Sequence, residues 1–123
     1  APNLFEKVIL LNPVVDSMEL FSDKLLMDEL WMHAKKILSL KSHEAYQEEI
    51  SRLISDFNPM GFVDKLISNI IIIQSSCDKV LDPKLAKKFY NLLKGKKKYI
   101  EILNKMHDLM GDEKELLDLT NEY

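Results

Sequence analysis

Four consecutive isoleucines, Ile70-Ile71-Ile72-Ile73, constrain this chain more than any other feature. A strand sends successive side chains to opposite faces, so an unbroken β-branched run leaves no face for solvent. The run is short and stops at Gln74-Ser75-Ser76. It therefore reads as a strand buried on both sides, as in a parallel sheet. A second continuous run, Val8-Ile9-Leu10-Leu11, stops at Asn12-Pro13. A third, Tyr99-Ile100-Glu101-Ile102-Leu103, carries a charge at its centre, which places it nearer an edge.

Helical signals fill the intervals. Asp16 is positioned to cap a first helix, with Glu19 as its capping-box partner and Leu20, Phe21, Leu25, Leu26, Leu30 and Trp31 as apolar residues. Tyr46, Ile50, Leu53, Ile54 and Phe57 form a second stripe at helical spacing, closed by Asn58-Pro59. Asp82-Pro83 is a strong helix start, followed by Leu85, Phe89, Leu92 and Leu93, with Gly95 as the expected stop. Asp112, with Glu115 three residues on, opens a last helix through Leu116, Leu117 and Leu119. Strands alternating with helices predict an α/β fold with a parallel sheet of about three strands. The stretch from Asp16 to Ser68 is too long for one crossover helix and predicts a helical insertion. The expected division is 1–16 for the first strand and its exit loop, 17–67 for the insertion, and 68–123 for the remaining strands and helices.

Composition narrows the function. The 123 residues suffice for one domain, and the net charge of −3 is scattered, without the concentrated basic field that a nucleic-acid groove requires. No apolar run approaches the roughly 18 residues of a membrane span. Ala1-Pro2-Asn3 is not the start of a signal peptide, and the chain opens without Met, which fits either removal of that Met or a segment of a longer chain. The single cysteine, Cys77, fits a reducing, cytoplasmic setting.

Chemistry in open α/β sheets sits beyond the carboxyl ends of the strands. After the isoleucine strand comes Gln74-Ser75-Ser76-Cys77-Asp78-Lys79-Val80-Leu81-Asp82-Pro83. After the Tyr99 strand comes Asn104-Lys105-Met106-His107-Asp108-Leu109. A carboxylate, Asp78, and an imidazole, His107, thus fall on loops at one end of neighbouring strands, as an acid that orients a histidine must. Asp82 reads as a helix cap. His33 and His43 have no second ligand at a useful spacing and read as exposed helix residues. Cys77 has no independent base and reads as a small buried thiol. Lys94-Gly95-Lys96-Lys97-Lys98 reads as a solvated turn. The Met18–Met32 region reads as core, with an adaptable acyl-chain lining as the functional alternative.

These two loops resemble those of the α/β-hydrolases, where the strand before the catalytic acid runs into a Gly-x-x-Asp-x-Val-x-Pro-like turn and a histidine follows the next strand. Ser75 to Pro83 is similar to the first pattern and Met106-His107-Asp108-Leu109 to the second, with a spacing of 29 from Asp78 to His107. Ser75 and Met106 stand where that family usually has glycine. The resemblance implies that the insertion is a cap or lid, that Asp78 and His107 are the catalytic acid and histidine, and that no cofactor or metal is needed. The family nucleophile lies in Gly-x-Ser-x-Gly. Gly61, Gly95 and Gly111 are the only glycines, and none has a serine two positions away. The nucleophile and the oxyanion-hole amides are then expected upstream or on another chain.

Two functions remain open at this stage. One is the C-terminal part of a serine hydrolase or related acyltransferase acting on a small ester or thioester. The other is a non-catalytic hydrolase-like domain that binds through its cap helices. On either reading the Val8–Leu11 strand is expected to pair with protein outside residues 1–123, either the missing N-terminal half or a second copy. The chain alone is expected to be inactive.

Overall fold

The computed structural model describes residues 5–38, 42–109 and 113–121. Strand β1 (Lys7–Leu11) is followed by helices α1 (Ser17–Leu20), α2 (Lys24–Ala34) and α3 (His43–Phe57) and a 3-10 helix (Pro59–Lys65). Then come β2 (Asn69–Ser75), α4 (Pro83–Leu92), β3 (Lys97–Ile102) and α5 (Glu113–Asn121). The three strands form one parallel sheet in the order β1-β2-β3. The chain divides into two compact units, Ala1–Pro13 with Val63–Tyr123, and Val14–Phe62. The first holds the sheet, and the second is a helical insertion between β1 and β2. This is the parallel α/β arrangement that the order of the apolar runs predicts, with the helical insertion that the resemblance to α/β-hydrolases implies.

The isoleucine strand lies at the centre, and Ile72 and Ile73 are fully occluded. Ile71, Ile73 and Ile102 form one buried cluster, against which Ile100, Leu109, Leu116 and Leu119 pack, so α5 covers that face. On α4, Ala86 and Phe89 are buried, and Leu93 just beyond it is buried too. Among the described residues both outer strands are edges of the sheet. Glu101 lies exposed on β3, as its charge requires. On β1, Ile9 and Leu11 remain exposed and the burial alternates along the strand.

Three local expectations need correction. The first helical stretch is two helices, because Asp23 starts a new one by accepting from the Leu25 and Leu26 amides. Asp16 does cap α1, through the Met18 amide, and Asn58 joins the same cap by donating to Asp16 Oδ1. Gly95 is not a left-handed helix stop: α4 ends with Leu93 in an ordinary region of backbone space. A Cβ on Gly95 would come within 3.1 Å of the Ile67 carbonyl oxygen, so close approach of two backbones is what keeps the position small. The lysine run is not merely a solvated turn. Lys97 and Lys98 belong to β3, and Lys97 Nζ donates to the carbonyls of Tyr90, Asn91 and Leu93. A cation thus satisfies the orphan carbonyls at the end of α4. Asp112, expected to cap α5, lies outside the described residues.

Candidate catalytic site

The strand register brings three loops together. Leu11 is level with Ile73, and Ser75 with Ile102, so the segments leaving β1, β2 and β3 emerge from the same end of the sheet. The loop after β2 is tied to the loop after β3 by its backbone and by one hydroxyl. The Ser76 amide donates to the Ile102 carbonyl and the Cys77 amide to the Lys105 carbonyl, while the Asn104 amide donates to Ser76 Oγ. Asn104 takes a left-handed conformation, φ 59°, which lets the chain turn sharply out of β3.

Asp78 and His107 meet in this arrangement. His107 Nδ1 lies 2.8 Å from Asp78 Oδ2. The Asp78 side chain is fully occluded, whereas that of His107 is 40% exposed. Asp78 Oδ1 accepts from the amides of Val80 and Leu81, both at 2.9 Å, and Oδ2 also accepts from Gln74 Nε2 at 3.2 Å. A buried carboxylate without such donors would take up a proton. Burial does push the Asp78 carboxyl up, but the Leu81 amide, the bond with His107 and the Val80 amide outweigh it and hold it below its ordinary value of 3.8. The group is therefore ionised near neutrality. An ionised acceptor fixes the neutral ring with its proton on Nδ1 and leaves Nε2 as the nitrogen for proton transfer.

Sequence reasoning placed Asp78 and His107 on these loops but missed three residues beside them. Gln74 is buried, donates to Asp78, and has its Oε1 enclosed without a hydrogen-bond partner among the described residues. Ser75 is fully buried; its amide donates to Asn12 Oδ1, and its hydroxyl accepts from Asn12 Nδ2. The side chain at this usual glycine position is thus part of a polar network. Asn12 also donates to the His107 carbonyl. Asn12 before Pro13 reads locally as the end of a strand, and that pattern does not announce its partners at Ser75 and His107.

The remaining candidates fall elsewhere. Asp82 caps α4 through the Lys84 amide. Cys77 is exposed, not buried as expected. His33 is exposed. His43 is not an ordinary exposed residue: its ring stacks on Trp31 at 5.4 Å between centroids and lies 3.7 Å from Asp28. Of the methionines in α1 and α2, only Met27 is buried, while Met18 and Met32 are exposed. Among the described residues no cluster of three His, Cys, Asp or Glu side chains could hold a metal ion, and no helix is long and apolar enough to cross a membrane. A cavity of about 280 Å³ lies at the amino ends of the strands, lined by Lys7, Asn69 and Lys96 among others, away from the Asp78–His107 pair.

Several solved structures, each longer than this chain, share its fold. DcsB in complex with its substrate analogue matches with a TM-score of 0.61 at 12% identity, over 95% of this chain and 55% of that one. The α/β-hydrolase GrgF from Penicillium sp. sh18 gives 0.61 at 14% identity, over 95% and 54%. The monoacylglycerol lipase of Paleococcus ferrophilus gives 0.60 at 14% identity, over 98% and 59%. No protein-family model matches the chain, and neither does any curated protein sequence. The chain has an α/β-hydrolase fold and spans between half and three-fifths of the length of these three structures.

Proposed function

We propose that the chain is the C-terminal portion of a serine α/β-hydrolase, an ester or thioester hydrolase or a related acyltransferase. Asp78 and His107 are then the acid and base of a Ser-Asp-His triad, and the helical insertion, 17–67, is its cap. The observation that carries this reading is the 2.8 Å contact of His107 Nδ1 with an occluded Asp78 whose other acceptor positions are engaged by amides. A serine supplied upstream or by another chain gives its proton to His107 Nε2 as its oxygen attacks the acyl carbon. Asp78 stabilises the imidazolium, and His107 returns the proton to the departing alkoxide or thiolate. Water, or an acceptor alcohol, then releases the acyl group with the same base. The oxyanion donors come from the same missing portion as the serine.

The test is fluorophosphonate labelling of the whole natural protein, with the modified residue located by mass spectrometry. The reading expects one modified serine outside residues 1–123 and labelling slowed at least about 100-fold in His107→Ala. Absence of labelling in the unsubstituted protein, or labelling indifferent to His107, overturns it.

A further inference from the structure

We infer that Asn12 is a positioning residue for His107, holding the histidine loop to the ends of β1 and β2 so that Nδ1 meets Asp78. The inference rests on the pairing of Asp78 with His107 as the working part of the site. Asn12 is buried, at 7% exposure, and lies directly after β1. Its backbone amide donates to the Ile73 carbonyl at 2.9 Å, which continues the β1–β2 ladder by one bond. Its side chain makes three more bonds. Oδ1 accepts from the Ser75 amide at 2.7 Å, and Nδ2 donates to Ser75 Oγ at 3.0 Å and to the His107 carbonyl at 2.7 Å.

Only an uncharged amide of this length does all of this. One acceptor and two donors are used at once, so a carboxylate lacks the donors and an aliphatic side chain lacks both. The backbone at Asn12 has φ 39°, a left-handed conformation that asparagine tolerates better than most residues. The loop after β3 is also held near its start, at Asn104 and Lys105, and packs on the core through Leu109. The Asn12 bond acts directly on the backbone of His107. Losing it leaves a carbonyl beside the imidazole without its buried donor, and a small shift of that backbone is enough to break a 2.8 Å side-chain contact.

Nuclear magnetic resonance of the His107 ring in the whole natural protein tests this. The unsubstituted protein is expected to show a slowly exchanging Nδ1 proton bonded to Asp78, lost in Asp78→Asn as the ring tautomer redistributes. If the unsubstituted protein lacks that proton, the pairing itself is wrong and the inference falls with it. Asn12→Asp keeps the acceptor for the Ser75 amide but has no donor for the His107 carbonyl. It is expected to lose the slowly exchanging proton while the β1–β2 amides stay protected. Ser75→Ala removes only the hydroxyl acceptor and is expected to keep it. A scalar coupling across the hydrogen bond from Asn12 Nδ2 to the His107 carbonyl carbon tests the contact with no substitution at all. Retention of the Nδ1 proton in folded Asn12→Asp, or absence of that coupling, overturns the inference.

Discussion

His107 Nδ1 and Asp78 Oδ2 lie 2.8 Å apart across 29 residues of sequence. The contact joins an occluded carboxylate to a partly exposed imidazole, the distribution that the proposed triad requires. Asp78→Asn keeps the shape of the side chain but removes the charge that sets the ring tautomer. In the whole protein it is expected to lower ester turnover by about 10³- to 10⁴-fold and to lower the melting temperature as well, because the bonds to the ionised carboxylate stabilise the fold near neutral pH. Steady-state kinetics with thermal melts on the same samples check both halves of this expectation.

Asp78 also ties stability to pH. Its folded-state carboxyl is held below the ordinary value of 3.8, so protonation favours the unfolded chain. Its contribution is fully present above that ordinary value and is lost as pH falls through the lower folded value. Chemical denaturation at a series of pH values from 6 down to about 2 is expected to show a steeper loss of stability below about pH 4 for the natural residue than for Asp78→Asn. Equal slopes contradict the assignment of the bonds at Asp78.

The end of α4 offers a separate stability test. Lys97 Nζ reaches three carbonyls, whereas Lys94 pairs with exposed Asp64. Lys97→Met keeps the apolar stem and removes the cation. It is expected to cost about 1 kcal/mol, and Lys94→Met less than about 0.5 kcal/mol. Urea denaturation distinguishes them.

Much of the fold could be read from the sequence because its strands are continuous apolar runs and its helices carry caps. Ile70 to Ile73 admits no half-exposed strand, and Asp82-Pro83 starts a helix by two independent mechanisms. The break between α1 and α2 was hidden because Leu20 and Phe21 before Asp23 and Leu25 and Leu26 after it carry the apolar periodicity across it. Asp78 and His107 were found because strand ends in parallel sheets converge. Asn12, Gln74 and Ser75 were not, because their roles depend on partners 63 or 95 residues away, or on burial that local pattern does not encode. His43 was misread for the same reason: its stacking partner, Trp31, is on another helix.

β1 is the place where the sheet is least complete. Ile9 is 37% and Leu11 48% exposed, and among the described residues β1 pairs only with β2. A flat apolar edge recruits other strands. The 123-residue chain alone is therefore expected to self-associate at low micromolar concentration, and in the whole protein the β1 amides are expected to exchange as slowly as those of β2. Sedimentation and hydrogen exchange check the two statements. A monomeric chain with a cooperative melt contradicts the first.

The central claim is that His107 acts as the base of a hydrolase completed by a nucleophile outside this chain. Its most direct test is hydrolysis of a short-chain thioester or activated ester by the whole natural protein, the 123-residue chain alone, and the His107→Ala and His33→Ala variants of the whole protein. The account predicts turnover by the whole protein and none by the chain alone. It predicts a loss of at least about 10³-fold in His107→Ala and no more than about a twofold change in His33→Ala, whose side chain is exposed. Turnover by the chain alone that His107→Ala abolishes, or turnover by the whole protein that His107→Ala leaves intact, contradicts it.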